Sequence, residues 1–322
     1  MARTIVGILR GGTSNEYNLS LKTGASMLAC LPEERYETRD IFIGRDGMWH
    51  LRGLPVEAPR ALAQIDVVLN GLHGGAGEDG TVQRLLDRSG VAYAGSRARG
   101  AGLSLNKIRA REILQKAGVR MPQAVSFTLG NEINTSEMAQ AVFLQFGPPY
   151  IVKPQSEGAS YGIRFAENLI ELPDAIGDCL DDFGAALIEE YVRGEQVSAG
   201  VIEDFRGQEL YVLPPSHVIL PTGELFLNSD THENALASHV CPSNFTRAEK
   251  QAIENMARHA HRALGLSHFS RADIILSRRG PYLLEVNALP GLYAGASFPA
   301  MLDAVGSSTQ EYIEHAIELA KK

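Results

Sequence analysis

The sequence predicts an α/β protein whose second half is partly α+β, and three observations indicate this. Short β-branched runs alternate with helical stretches from residue 4 to about residue 105, as in a parallel sheet covered by helices. Strand-like runs then follow one another closely between residues 150 and 213, as in an antiparallel sheet. Residues 271–291 contain two apolar runs joined by a polar turn, which predicts a hairpin.

In the first part of the chain, strands and helices alternate. Residues 4–9 form a β-branched run that stops before two glycines, and residues 18–30 then have helical spacing. Further strands are predicted at about 38–43 and 66–70. A helix is predicted at about 80–89, and we expect Asp79 and Gly80 to cap it.

The later elements predict antiparallel sheets with flanking helices. Helices are expected at about 106–117, 135–146, 168–182, 247–264 and 308–321, with a break at Met121-Pro122. Strands are expected at about 150–154, 162–166, 185–190, 197–203 and 209–213. Together with the helix at 168–182, this succession of strands predicts an antiparallel sheet region rather than a second parallel one.

The composition is that of a globular protein with more than one domain. Of 322 residues, 44% are hydrophobic and 21% are charged, and this length suits two or three domains. The formal net charge of -8 argues against broad binding to nucleic acid or anionic membranes, but not against a local basic pocket for phosphates. No apolar run approaches the roughly 18 residues of a membrane span, so we expect a cytoplasmic protein. Cys30, Cys179 and Cys241 lack metal-ligand spacing and are predicted to be buried thiols.

The predicted hairpin at 271–291 has the residues of a metal and phosphate site. Arg271 and Asp273 are two positions apart, as are Glu285 and Asn287, and alternate residues of a strand share a face. Pairing the two runs would bring two carboxylates, an amide oxygen and a fixed cation together. Magnesium takes oxygen ligands and commonly lies between carboxylates and substrate phosphates. Charges alternating with aliphatic residues also describe any half-buried hairpin, so this pattern alone leaves both interpretations open.

Six collinear segments carry a resemblance to a known family. They are GGTSNEYNLSLKTG (11–24), LHGGAGEDGTVQRLLD (72–87), YAGSRARGAGLSLNK (93–107), IVKPQSEGASYG (151–162), IEEYVRGE (188–195), and RADIIL with LLEVNALPG (271–276 and 283–291). Over nearly its whole length the chain resembles the D-alanine:D-alanine ligases of the ATP-grasp superfamily. A lone glycine loop would be weak support, whereas six motifs in order are specific.

The resemblance implies an ATP-grasp fold of three domains, which we place at residues 1–105, 106–195 and 196–322. ATP would be held between the second and third. The implied reaction makes D-alanyl-D-alanine for peptidoglycan: ATP phosphorylates one D-alanine carboxylate, and the amine of a second D-alanine attacks the acyl phosphate. The resemblance further implies Mg²⁺ (two ions, with Mn²⁺ as a substitute) and a homodimer.

For ATP, the resemblance implies contacts from three segments. Lys107 and Lys153 would contact the phosphates, and the loop from Glu157 through Gly158 and Ser160 to Gly162 would close over them through backbone amides, which small residues permit. The adenine would meet Glu189, Glu190 and the Val192 backbone, and the ribose hydroxyls would meet Glu195. For Glu189 and Glu190, the alternative is solvated charge at a strand edge.

For metal and chemistry, the resemblance assigns Asp273, Glu285 and Asn287 to magnesium, which would act as a clamp and Lewis acid. Arg271 and the Gly291 amide would stabilise the oxyanion of the tetrahedral intermediate, and Ser160 would lie beside this catalytic centre.

For the donor amino acid, the resemblance implies two residues near the amino terminus. Glu16 matches the glutamate that holds the donor ammonium, and His73 matches a histidine near the donor. A lone histidine after an apolar strand more often has a structural role, but the match of the LHG motif favours a role for His73 at the donor site.

The chain departs from the family pattern at the amino-acid end. In the family, the phosphate loop carries two serines where this chain has Ala159 and Ser160, and the first serine links the donor-site glutamate to a tyrosine of a covering loop. That loop corresponds to residues 226–243, where His232 and Glu233 stand at the family's lysine and tyrosine.

A third departure concerns the acceptor. The family serine that binds the acceptor carboxylate falls on Ala296, with Ser297 one residue later. Three departures in one functional group allow a ligase with another donor or acceptor, such as D-serine or D-lactate, a weakened D-alanine ligase, or a nucleotide-binding protein without ligase turnover. The retained lysines, carboxylates and Arg271 argue against the last of these. We therefore predict a D-alanine:D-alanine ligase.

Overall fold

The computed structural model describes residues 3–130, 133–227, 234 and 236–322, and its first sheet lies in the amino-terminal third. The strands are β1 (Thr4–Gly11), β2 (Tyr36–Ile43), β3 (Trp49–Leu51), β4 (Leu54–Pro55), β5 (Val67–Asn70) and β6 (Ala92–Ala94). The helices are α1 (Tyr17–Cys30), α2 (Ala58–Leu62), α3 (Thr81–Ser89) and α4 (Ala98–Leu105). The strand order is β4-β3-β2-β1-β5-β6.

The predicted parallel layer is confirmed for its three strands, β1, β2 and β5, whereas the sequence did not predict the fourth parallel strand, β6, or the antiparallel edge. Strands β2, β1, β5 and β6 pair in parallel, and every residue of β5 is buried because helices cover both faces of such a sheet. Strands β3 and β4 add an antiparallel hairpin. Its turn uses Arg52 and Gly53, both at positive φ. Arg-Gly lacks the Asn-Gly or Asp-Gly signature of such turns, so the sequence did not indicate it.

The second sheet is antiparallel, as predicted. Its strands are β7 (Ala124–Thr128), β8 (Tyr150–Pro154), β9 (Arg164–Ala166) and β10 (Ala185–Glu190), in the order β7-β10-β8-β9. Helix α5 (Lys107–Lys116) precedes it, and α6 (Thr135–Phe143) and α7 (Leu172–Phe183) pack on it around a core that includes Val142, Ile176 and Ile188. Helix α7 begins later than predicted because Asn168 and Glu171 form a side-chain-stabilised turn before it.

The third sheet contains the predicted hairpin. Its strands are β11 (Glu195–Phe205), β12 (Gln208–Val212), β13 (Ser216–Ile219), β14 (Ser238–Val240), β15 (Phe269–Ser277) and β16 (Gly280–Asn287). The order is β14-β13-β11-β15-β16, and β12 also pairs with β11. The helices are α8 (Arg247–Ala263), α9 (Ser297–Asp303) and α10 (Thr309–Ala320).

The first and third sheets share a hydrophobic core, whereas the second sheet has a core of its own. One cluster joins the first and third sheets through residues such as Val6, Met27, Phe269, Phe298 and Tyr312. A second cluster lies under the third sheet and includes two residues of α5, Ala110 and Leu114. The core of the second sheet is a separate cluster. Helix α5 therefore packs with the third sheet, although it precedes the second in sequence.

The cysteine prediction is only partly confirmed. All three thiols are free, but Cys179 is buried whereas Cys30 and Cys241 are only partly buried. Across the described ranges, none of the helices is both long and apolar enough to cross a bilayer.

The cluster between the first and third sheets should dominate stability. Phe298 is 0% exposed and its ring lies 5.0 Å from that of Tyr312. Phe298→Ala should therefore lower the free energy of unfolding by about 3–5 kcal/mol through lost burial and a residual cavity. Urea denaturation measures this loss. The matched control is Phe143→Ala, because Phe143 is 48% exposed; it should cost less than about 1 kcal/mol. Equal losses in both variants would contradict the assignment.

Candidate active site

A cavity of about 320 Å³ lies between the second and third sheets. Most of the residues predicted for ATP, metal and catalysis form its wall: Lys107, Lys153, Glu157, Ser160, Glu189, Glu190, Val192, Glu195, Arg271, Asp273, Glu285 and Ser297. Five other predicted residues do not line it: Glu16, His73, Gly158, Asn287 and Gly291. The structure thus brings the residues predicted for ATP together and places those predicted for the donor amino acid next to them.

A buried charge cluster lies at the second-sheet side of this cavity. Glu189, which is 3% exposed, accepts the Lys153 ammonium at 2.7 Å and the Arg111 guanidinium at 2.9 Å. The alternative of solvated strand-edge charge is therefore wrong for Glu189. Glu190 is partly buried and accepts the Gln123 N–H at 3.0 Å. The sequence analysis missed Arg111, although its position one helical turn after Lys107 places both on one face of α5.

Lys107 connects the hairpin to the loop at 157–162. Its ammonium lies 2.9 Å from the Glu285 carboxylate and donates to the Glu157 carbonyl at 2.7 Å. Burial disfavours the charged ammonium, but Glu285 outweighs this, so the pKa of Lys107 is raised above its usual value. Burial also opposes ionisation of Glu285, yet Lys107 and Lys153 lower the pKa of Glu285 to about 2. Both groups are charged at neutral pH.

The hairpin brings the predicted metal residues together. Asp273 pairs directly with Glu285, and Arg271 with Asn287. Asp273 accepts both the Arg271 Nε–H at 3.0 Å and an Nη2–H at 2.7 Å, and the Asn287 amide donates to it at 2.9 Å. Burial disfavours the Arg271 cation, but Asp273 outweighs this and raises the pKa of Arg271. The prediction that these four side chains share a face is confirmed.

This donor set fits magnesium. Within the described residues, no three His, Cys, Asp or Glu side chains form a metal-binding group; the hairpin supplies two carboxylates and an amide. Magnesium commonly uses one or two carboxylates and completes its shell with water and substrate phosphates. Asp273 and Glu285 face an open cavity that can admit phosphates.

The loop from Glu157 to Gly162 approaches the donor-site glutamate closely. Ala159, Ser160 and Gly162 have φ angles of 43°, 58° and 75°, so the loop is built from left-handed residues that turn the backbone sharply. A Cβ atom at Gly158 would lie 2.2 Å from Glu16 Oε1. Any side chain at this position would force the Glu16 carboxylate to move.

Glu16 is a buried carboxylate that lacks a full set of partners. It is 9% exposed, and its Oε1 atom has no hydrogen-bond partner among the described residues. Burial first, and then the nearby Glu78, raise the pKa of Glu16 to about 8. Glu78 accepts the Gly74 N–H at 2.6 Å, and burial raises its own pKa to about 7. Two buried carboxyl groups with one orphaned oxygen form a site that an ammonium group would satisfy.

His73 is buried and neutral. Its Nε2 lies 2.7 Å from the Thr23 hydroxyl, and burial lowers the pKa of His73 to about 4. His73 follows β5 of the first sheet and lies near Glu16. It can orient neighbouring groups, but with this lowered pKa it does not titrate near neutral pH. Asp79 accepts the Thr81 N–H at 2.7 Å, which confirms its predicted role at the start of α3.

Ala296 and Ser297, which stand at the position predicted for the acceptor carboxylate, both line the cavity. Ala296 precedes α9 and Ser297 is its first residue. Ser297 is 4% exposed and lines the cavity. His232 and Glu233 lie outside the described residues. Gly291 lies in the buried segment after β16; it does not line the cavity itself but lies directly behind the ring of Tyr293, which does.

Two further wall residues were not identified from the sequence. His217 on β13 lies 2.9 Å from the Glu195 carboxylate and stacks on Phe245. Tyr293 lies near Arg271, and burial raises the pKa of Tyr293. Both come from segments that have no recognisable motif, and only the folded sheet brings them to the cavity.

Comparisons with known proteins agree on one family. Models described as "D-ala D-ala ligase C-terminus" and "D-ala D-ala ligase N-terminus" match residues 113–318 and 52–96. A D-alanine–D-alanine ligase of Desulforudis audaxviator is 32% identical over 318 residues, covering 98% of both chains. One from Halalkalibacterium halodurans is 31% identical, covering 98% of this chain and 99% of the relative.

Solved structures share the fold. The VanG D-Ala:D-Ser ligase of Enterococcus faecalis superposes with a TM-score of 0.84 at 24% identity, covering 99% of this chain and 100% of that one. The D-alanine-D-alanine ligase of Coxiella burnetii gives 0.85 at 19% identity, covering 99% and 94%. The predicted ATP-grasp fold is confirmed.

Glu16 gives a pH-dependent prediction for the ligand-free protein. Below about pH 4.5 the carboxyl is protonated in both the folded and unfolded states, but as the pH rises to about 8 only the unfolded state ionises. The free energy of unfolding therefore falls across this range. Glu16→Gln removes that loss, so its stability relative to wild type should increase by at least about 1 kcal/mol between pH 5 and pH 8.

Thermal and urea unfolding at several pH values measure this difference. Glu112→Gln is the control, because Glu112 is exposed on α5, and its effect should not change across the same range. If the stability difference between Glu16→Gln and wild type also stays constant from pH 5 to pH 8, the raised pKa of Glu16 is contradicted.

Proposed function

The chain belongs to the D-alanine–D-alanine ligase family, and we propose that it uses ATP to join two D-alanine molecules into D-alanyl-D-alanine for peptidoglycan synthesis. One observation carries this proposal. The cavity collects the cations Lys107, Lys153 and Arg271 beside the paired carboxylates Asp273 and Glu285. Fixed cations and metal-binding carboxylates around one open space suit phosphoryl transfer, in which the protein mainly positions reactants and neutralises charge.

We assign one domain to each sheet, at residues 1–105, 106–195 and 196–322. ATP lies between the second and third, where Lys107 and Lys153 contact its phosphates. The amides of the loop containing Glu157, Gly158 and Ser160 close over them. The positive φ angles at Ala159 and Ser160 support a tight loop whose backbone can approach a phosphate closely.

The nucleoside end of ATP lies farther along the same cavity. Glu189, Glu190 and the Val192 backbone meet the adenine, and Glu195 meets the ribose hydroxyls. All four line the cavity wall. Glu195 lies at the start of β11, and its exposed carboxylate is free to accept the ribose hydroxyls.

Asp273, Glu285 and Asn287 hold magnesium. When bound, the metal supplies charge neutralisation and Lewis acidity at the phosphates, and the family's two-ion arrangement is part of this proposal. Glu285 supports the assignment because it is ionised at any physiological pH, and an ionised carboxylate is the form that a hard cation binds.

The donor D-alanine binds with its ammonium at Glu16, beside His73. The orphaned Glu16 Oε1 atom supports this assignment, because an ammonium donor would remove the cost of burying it unpaired. The donor carboxylate then faces the ATP γ-phosphate, and phosphorylation converts its oxygen into a good leaving group.

The acceptor D-alanine binds with its carboxylate at Ser297. Its free amine attacks the acyl phosphate: the C–N bond forms, the C–O bond to phosphate breaks, and the amine loses a proton. Arg271 and the Gly291 N–H stabilise the oxyanion of the tetrahedral intermediate, with Ser160 nearby. Arg271 supports this role because it lines the cavity and remains cationic. We place the enzyme in the cytoplasm as a homodimer.

The direct test is phosphate release from MgATP with and without D-alanine, followed by mass spectrometry of the product. We expect release to depend on D-alanine and to match D-alanyl-D-alanine formation one to one. D-Serine and D-lactate, each added with D-alanine, test acceptor choice. Release that ignores D-alanine, or a mixed product formed in preference to the dipeptide, would overturn the proposal.

Glu285 tests the metal assignment. Glu285→Ala should lower D-alanine-dependent phosphate release at least about 10³-fold at saturating ATP, because the metal clamp is lost. Glu318→Ala on α10, an exposed carboxylate remote from the cavity, is the control. Titration with Mn²⁺ monitors metal binding separately from turnover and should show weaker binding only in Glu285→Ala. Unchanged Mn²⁺ affinity in that variant would contradict the assignment.

A further inference from the structure

Arg111 is a buried cation outside the cavity wall, and none of the roles described above includes it. It lies on α5, is 6% exposed, and donates from Nη1 to Glu189 Oε1 at 2.9 Å. The other Glu189 oxygen accepts Lys153 at 2.7 Å. Nη2 of Arg111 is buried without a hydrogen-bond partner among the described residues. Each oxygen of one carboxylate thus pairs with a different cation.

The charges of the three ion-paired clusters around the cavity differ. Lys107 with Glu285 sums to zero, and so does Arg271 with Asp273. The directly ion-paired groups Lys153, Glu189 and Arg111 sum to one positive charge, and the partly buried Glu190 carboxylate lies near enough to Arg111 to offset part of it. Lys153 lines the cavity, whereas Arg111 lies behind Glu189. Without the guanidinium, Glu189 would fully compensate Lys153.

We propose that Arg111 is a positioning residue for ATP, which neutralises Glu189 from behind so that the Lys153 charge remains available to the phosphates. This inference rests on the proposed nucleotide site. The physical basis is the low dielectric of a buried cluster, where one uncompensated charge attracts a phosphate far more strongly than a charge in water does.

Arginine suits this role better than a second lysine. A guanidinium stays protonated in proteins and is more weakly hydrated than an ammonium. Burial lowers the pKa of Arg111, and Glu189 offsets part of that change, so the cation persists. The unpartnered Nη2 atom indicates that Glu189 alone does not satisfy the guanidinium, which is consistent with a cluster that keeps a surplus of positive charge.

The Arg111–Glu189 ion pair joins two layers of the fold. Helix α5 packs in the core of the third sheet, whereas Glu189 and Lys153 belong to the second sheet. The Arg111–Glu189 pair therefore places a third-sheet cation behind a second-sheet lysine and forms only when the two layers are together. The positive charge left at Lys153 therefore depends on the packing of α5 against the second sheet beside the cavity.

The test compares ligands that share adenine but differ in phosphate. Calorimetry with adenosine, ADP and ATP, first without metal and then with Mg²⁺, measures binding to wild type, Arg111→Gln and Arg111→Lys. Arg111→Gln should weaken ATP at least about 10-fold and adenosine less than about 2-fold, because the glutamine amide can still donate to Glu189 at the adenine, whereas the charge that compensates Glu189 beside Lys153 is lost. Arg111→Lys, which retains the charge, should keep the ATP-to-adenosine affinity ratio within about 3-fold of wild type.

Two controls separate positioning from folding. Arg109→Gln, on the exposed face of the same helix, should leave all three affinities unchanged. Thermal unfolding reports whether each variant folds; if Arg111→Gln does not, the ratio for Arg111→Lys decides the question alone. In steady state, Arg111→Gln should raise the KM for ATP and leave the KM for D-alanine unchanged.

Equal weakening of adenosine and ATP, or no weakening of ATP, would overturn the inference. So would a 10-fold fall of the affinity ratio in Arg111→Lys. Because nucleotide binding is measured without an amino acid, its outcome is independent of the substrate proposal. A wild-type protein that makes no dipeptide yet discriminates the nucleotides as described would overturn only the proposed function.

Discussion

The candidate site depends on the position of one ammonium group. Lys107 begins α5, and its backbone N–H donates to the Gln155 carbonyl at 2.8 Å while its side chain reaches Glu157 and Glu285. One residue thereby joins the loop at 157–162 to the hairpin β15–β16, the two segments that we propose bind phosphate and metal. A buried ion pair is worth its desolvation cost only when further hydrogen bonds complete it, and here the Glu157 carbonyl provides one.

The sequence predicted those parts of the fold that local pattern determines. Strand β10 and the hairpin β15–β16 follow from apolar runs with alternating charge, and the shared face of Arg271 and Asp273 follows from the period of two. The edge hairpin β3–β4 was not predicted because its Arg-Gly turn lacks a recognised signature. Helix α5 was correctly located, but its packing with the third sheet depends on contacts distant in sequence.

Some residues of the candidate site could likewise be identified from the sequence, and others only from the folded structure. Lys153 was identified through the family resemblance, and Glu285 through the alternating pattern of the hairpin together with that resemblance. Arg111 and His217 were missed because each acts through a partner far along the chain, Glu189 and Glu195, respectively. The burial of Glu189 could not be predicted either, since two consecutive glutamates at a strand end usually face water. Only the folded arrangement shows two cations converging on it.

The separation of the hydrophobic cores has a mechanical consequence. The first and third sheets share a cluster containing Phe269 and Phe298, so pulling them apart would expose a large apolar surface. The second sheet has its own core with α6 and α7, and it is joined to α5 by polar contacts and to the third sheet by one small apolar cluster of Val192, Ile275 and Tyr282. Rotating the second sheet away would break ion pairs but uncover little of any core. Moving the second sheet relative to the third therefore costs less than separating the first sheet from the third. A bulky nucleotide can enter and leave the cavity by that movement of the second sheet.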